Sequence, residues 1–129
     1  MEQYRLILMI IIMILAVADL ALTYHYVYNY RKWQPEKPYK LIEMNPLLVF
    51  LWNKLGLHLG MFVGSVIILS LDYIIIKEAH WALPVILLGL LVFTLFNHLN
   101  NIGLLYKLII KYPTGHLPIE VFGDVAGNN

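Results

Sequence analysis

The sequence predicts an all-α fold, an integral membrane bundle of three transmembrane helices plus a short interfacial or re-entrant helix. Three observations predict it. Hydrophobic residues make up 60% of the chain and charged residues 13%, against roughly 45–50% and about 25% in soluble domains. The apolar residues gather in three runs, each long enough to supply the ~20 residues that a helix needs to cross the hydrocarbon core. A chain of 129 residues has too little interior to hide that much apolar surface from water, so lipid must cover part of it. The expected organisation is one transmembrane domain over residues 1–112 and an irregular tail over 113–129, where Pro113, Gly115, Pro118, Gly123 and Gly127 fall.

The first run extends from Leu6 to about Tyr28 and holds one acidic residue, Asp19. A signal peptide is the rival reading, with Arg5 as its basic end, Leu6–Leu15 as its apolar stretch and Ala16-Val17-Ala18 resembling a cleavage site. Apolar character continues past Asp19 through Leu20, Ala21, Leu22 and Val27, which favours a span. Arg31 to Glu43 is a polar loop with Pro35, Pro38 and four basic residues. Asn45-Pro46 then opens a short apolar stretch ending at Trp52. Asn is a good N-cap and Pro suits the first helical position, so a helix starts at Pro46. It is too short to cross a bilayer alone. It is therefore interfacial, re-entrant, or the first turns of the second span.

That second span runs from about Leu55 to Ile76, and Lys77 to His80 form a tight connection. The third starts at Trp81 and can stay helical to Ile110. At ~1.5 Å per residue its length exceeds the ~30 Å core. It must tilt, bend near Pro84, or project into water.

Call the N-terminal side A and the opposite side B. Side A holds Arg5 and Lys77, whereas side B holds Arg31, Lys32, Lys37, Lys40, Lys54, Lys107 and Lys111. Basic residues favour the cytoplasm, which predicts a cell-membrane protein with side B inside, the N-terminus outside and the C-terminus cytoplasmic. Tyr24, Tyr26, Tyr28, Tyr30, Trp33 and Trp52 suit an aromatic belt at side B.

Several polar residues fall where lipid would be. Asp19 and Thr23 lie four apart on one face of the first helix, with Asp19 roughly 20 Å beyond the start of the span. A carboxylate at that depth must face protein or water. In the third helix, Thr94, Asn97, His98 and Asn101 share one stripe, with Asn100 at its margin. Such residues can fasten helices together, which is the bland reading, or line a polar cavity. In the second helix, Gly56, Gly60 and Gly64 form a G-x-x-x-G-x-x-x-G stripe that suits close helix packing, within the chain or between copies. His58, Ser65 and Asp72 lie roughly opposite, with Asp72 expected to reach the side A interface near Lys77.

Depth and direction combine these groups. The three spans alternate in direction, yet their polar residues fall toward the same side. The expectation is one polar intramembrane site near the cytoplasmic face, built from Asp19, Thr23, Glu43, Asn45, Asn97, His98 and Asn101.

Asp19-x-x-x-Thr23, followed by Glu43-x-Asn45-Pro46-Leu47 and an Asn in a later helix, resembles a family of small prokaryotic multi-pass membrane proteins, a domain of unknown function with D-x-x-x-T and E-x-N-P-L motifs. The resemblance covers about Leu6 to Ile110 and implies a compact helical bundle, with no established activity. The family's Lys in the second span has no counterpart between Gly60 and Ile76.

The absence of cysteine excludes disulfides and thiolate metal sites. A net charge of +1 with no basic block points away from nucleic acid. No H-E-x-x-H and no G-x-S-x-G occurs. Three readings follow. The site handles an ion or small solute in the bilayer, alone or as a homo-oligomer. Alternatively the chain is a structural or accessory subunit of a membrane complex, with its polar residues fastening helices. The lesser reading is an enzyme acting on lipid-linked substrates. No cofactor is expected unless Asp19, Glu43 and His98 hold a divalent metal.

Overall fold

The computed structural model describes residues 3–117; the tail over 118–129, expected to be irregular, lies outside the described residues. Four helices follow one another: α1 (Gln3–Trp33), α2 (Pro46–Leu55), α3 (Leu57–Glu78) and α4 (Ala82–Lys111). A short 3-10 turn, Tyr39–Leu41, interrupts the loop between α1 and α2. No strand occurs among the described residues. The fold is all-α, and α1, α3 and α4 are each long and apolar enough to cross a membrane.

Helix α1 runs one turn past the expected end of the first span and stops just before Pro35. Proline disfavours helical geometry in the residue that precedes it. Arg31 and Lys32 occupy its last turn, where a cation meets the negative end of the helix dipole. The loop that follows is tied to the helix. Arg31 donates a hydrogen bond to the Lys37 carbonyl at 2.6 Å, and its guanidinium lies over the Tyr39 ring. Burial holds the Lys37 ammonium below its ordinary pKa. Pro84 falls in the first turn of α4, where its missing N–H breaks no helical bond.

The central feature is a reversal at Gly56. The residue has φ +85° and ψ 168°, an extended, positive-φ backbone that L side chains rarely adopt. It ends α2 and starts α3, so the two are separate helices. They fold back on each other. A Cβ placed on Gly60 would lie 2.7 Å from the Leu51 carbonyl oxygen, and one on Gly64 would lie 2.7 Å from a Leu48 methyl group. Residues nine and sixteen apart in sequence touch only if the chain reverses. The short helix is therefore not the start of the second span but the first arm of an antiparallel hairpin.

Asn45 starts α2 as the sequence predicts. Its side-chain oxygen accepts from the Leu47 and Leu48 amides at 3.0 and 3.4 Å, satisfying N–H groups that the first turn leaves without helical partners. Helix α1 packs against both α3 and α4, and α2 against α3, whereas α3 and α4 barely meet. One core cluster joins Leu20 and Val27 of α1 to Leu48 and Trp52 of α2 and Met61 of α3. A second joins Tyr30 and Trp33 to Leu105 of α4. Outside these clusters the helices are dressed in exposed Leu, Ile, Val and Phe, the surface expected of a chain that lipid covers.

Candidate functional site: a polar cavity between α1, α2 and α4

All seven residues expected to share a site line one cavity of about 360 Å³. Asp19 and Thr23 come from α1, Glu43 and Asn45 from the loop and cap of α2, and Asn97, His98 and Asn101 from α4. The small α3–α4 contact leaves room for it. The α2–α3 hairpin brings it together, because the reversal at Gly56 carries the start of α2 down beside Ile68. Ile68 lies eleven residues into α3, about 16 Å along the helix, and lines the same cavity.

At the centre is a three-residue contact. The Thr23 hydroxyl donates to the Asp19 carbonyl at 2.9 Å, so its single proton is already used. Thr23 Oγ1 and His98 Nε2 lie 3.2 Å apart. The hydroxyl must then accept, which places a proton on Nε2. The same nitrogen is 3.2 Å from Asp19 Oδ1. That approach is an ion pair whenever the imidazole is protonated. Asp19 and His98 side chains are 19% and 16% exposed, enough shielding to strengthen their attraction relative to water.

Glu43 and Asn45 have local duties as well. Glu43 Oε1 accepts from the Met44 amide at 2.9 Å and the Asn45 amide at 3.1 Å. This fixes the loop just ahead of the Asn45 cap, so the E-x-N-P-L spacing has a structural cause. One carboxylate oxygen serves the backbone and the group still lines the cavity. Thr94 lines it too, with its hydroxyl bonded back to the Leu91 carbonyl at 3.0 Å. Met44 and Asn97 form part of the rim, both exposed, Met44 at 95%.

Two residues escape the sequence reading. Tyr26 lines the cavity although its neighbours in the aromatic run suggest a belt at the interface. Asp72, expected at the interface near Lys77, is buried at 8% exposure. It sits one helical turn beyond Ile68, on the same face of α3. The four-residue offset from Ile68 is the signal that could have found it, but only once the depth of α3 against α1 is known. Asp19, Glu43 and His98 share the cavity, yet among the described residues no three His, Asp or Glu groups converge closely enough to hold a metal ion.

The stripe glycines divide. Gly60 and Gly64 are buried against α2, whereas Gly56 is the reversal itself and has nothing within 4 Å of an added Cβ.

No protein-family model, curated protein or solved structure matches the chain.

Proposed function

We propose that the chain is a multi-pass protein of the cell membrane whose cavity binds a small cation, or a small polar solute rich in hydrogen-bond donors, within the bilayer. The observation that carries this is the convergence of two carboxylates, Asp19 and Glu43, on one cavity whose lining holds a single basic side chain, His98. Shielded carboxylates cost free energy unless positive charge or donor hydrogens meet them, and here one imidazole faces two of them. Amides of Asn97 and Asn101 add neutral donors and acceptors. An anion would meet net repulsion there, while a cation or a protonated amine would not. Intramembrane acids of this kind mark ion and proton sites. The resemblance in motif to the small prokaryotic membrane-protein family is part of the same proposal.

The basic residues favour side B as the cytoplasmic face, with the N-terminus outside. On that frame α2 is re-entrant: it starts at half-depth beside Ile68 and returns to side B at Gly56. Gly60 and Gly64 then serve packing within the chain, against α2.

The test is flux and binding in proteoliposomes with a panel of alkali cations, ammonium and small primary amines. We expect at least one to bind or cross in a way that Asp19→Asn abolishes and Asn53→Ala leaves intact. A panel in which every response is the same for wild type and Asp19→Asn would sink the proposal.

A second reading is favoured by one observation. Asn97 and Asn100 are exposed on the apolar helix α4, where neighbouring chains rather than lipid are the natural partners of an amide. As a fastening subunit, the protein would lose assembly when both are changed to Leu, with no solute-dependent property affected.

A further inference from the structure

On the face of α1 and α3 away from the polar cavity, three hollows join end to end. The first, about 350 Å³, lies at side B and is lined by Tyr28, Arg31, Lys32, Tyr39 and His58 among others. The second, about 260 Å³, shares His58 with it and continues past Met61, Phe62 and Ser65. The third, about 270 Å³, shares Tyr24, Met61 and Ser65 with the second and continues along Val17, Leu20, Ala21 and Leu69, with Leu20 also lining the polar cavity. From His58 to Leu69 the track follows α3 for about 16 Å of helical rise. Its side B end is basic and aromatic. Its far end is apolar apart from Ser65 and the Tyr24 hydroxyl. No residue lining the three hollows is acidic, in contrast to the cavity that holds Asp19 and Glu43.

We propose that this groove binds one anionic phospholipid, with the phosphate among Arg31, Lys32 and His58 and an acyl chain lying along Met61, Ser65 and Ala21. The head end has the donors for it. Arg31 gives one N–H to the Lys37 carbonyl, and a guanidinium has five. Tyr24 and His58 Nδ1 lie 2.5 Å apart. With the phenol donating to Nδ1, the ring carries its proton on Nε2 and can donate it to a phosphate oxygen. The Tyr28 hydroxyl adds a neutral donor. A phosphate is the acceptor that such a set suits, and juxtamembrane basic residues draw anionic lipid to the cytoplasmic leaflet. The apolar continuation favours a lipid over a free phosphate, because only a lipid uses both ends. The inference rests on the membrane placement of α1 and α3 and is independent of the cavity.

The experiment measures thermal stability and retained lipid by native mass spectrometry on purified full-length chain in detergent. The added probes are dioleoyl phosphatidylglycerol, dioleoyl phosphatidylcholine and inorganic phosphate. Phosphatidylglycerol is expected to bind at unit stoichiometry and raise the melting temperature more than phosphatidylcholine does. Lys32→Gln, on an exposed residue, should weaken it about fivefold, the effect of one basic group near a membrane surface. His58→Gln should weaken it as well. Ser65→Phe, which fills the track, should abolish lipid binding. Equal binding of the two phospholipids by wild type would overturn the proposal, and so would protection by phosphate alone equal to that by phosphatidylglycerol. Binding undiminished in both Lys32→Gln and Ser65→Phe would overturn it too. Asp19→Asn, measured alongside, should keep the lipid, so that failure of the groove and failure of the cavity are told apart.

Discussion

At the scale of single residues, the polar cavity turns on what happens when one partner of a shielded contact is removed. His98→Leu leaves the Asp19 carboxylate facing an apolar wall and is expected to destabilise by about 1–3 kcal/mol. Asp19→Asn removes the charge and should cost less, because an amide can still meet the imidazole. The double variant is expected to be non-additive, since contacting residues couple by roughly 0.5–3 kcal/mol. Thermal unfolding in one detergent reads all four proteins. Additive costs would mean that the 3.2 Å approach of the two side chains has no energetic weight. These residues were legible because an ionisable group within an apolar run stands out from composition alone, and because the offsets of Thr94, Asn97, His98 and Asn101 fall on one helical face. Asp72 was not legible. Its position near the end of its run suggests an interface, and only the packing of α3 on α1 reveals that it is buried.

At the scale of elements, sequence pattern locates the helices and leaves the reversal as one of three readings of the short helix, without placing it at Gly56. Length and hydropathy mark three spans, and Asn45-Pro46 marks the start of α2. Gly56 reads as the first member of a packing stripe, because nothing in local composition separates a glycine chosen for closeness from one chosen for a positive φ. The structure separates them, and the consequences differ. Gly60→Ala places a methyl group against the backbone of Leu51, which cannot yield without moving α2, and is expected to cost about 1–3 kcal/mol. Gly64→Ala meets the end of the Leu48 side chain, which can rotate, so its cost should be smaller. Gly56→Ala has open space but forces an L residue into an extended, positive-φ backbone that is almost exclusive to glycine, at roughly 1–3 kcal/mol. Asn45→Ala removes the cap of α2 at about 1 kcal/mol. Melting temperatures should therefore show Gly60→Ala well below Gly64→Ala. The reverse order would place the tight α2–α3 contact elsewhere.

At the scale of the whole molecule, the hairpin makes a claim about depth that an interfacial short helix does not. If α2 lies in the membrane beside α3, its turn and its start sit at different levels. Asn53 and Lys54 lie next to the reversal at Gly56 and belong in water at side B. Met44 precedes the cap at the level of Ile68, roughly half-way through a ~30 Å core. It is 95% exposed on the protein surface, so protein does not shield it. Lipid is what would cover it. The chain has no cysteine, so single cysteines can be read without background. In sealed vesicles of known orientation, Asn53→Cys should react quickly with a membrane-impermeant thiol reagent supplied from side B. Glu78→Cys should react only from the opposite face. Met44→Cys should resist the impermeant reagent from both faces while reacting with a membrane-permeant one. A thiol at 44 that labels from side B as fast as one at 53 would place α2 at the surface. The Glu43–Asn45 wall of the cavity would then be open to water, and a carboxylate there would need no bound cation to hold its charge.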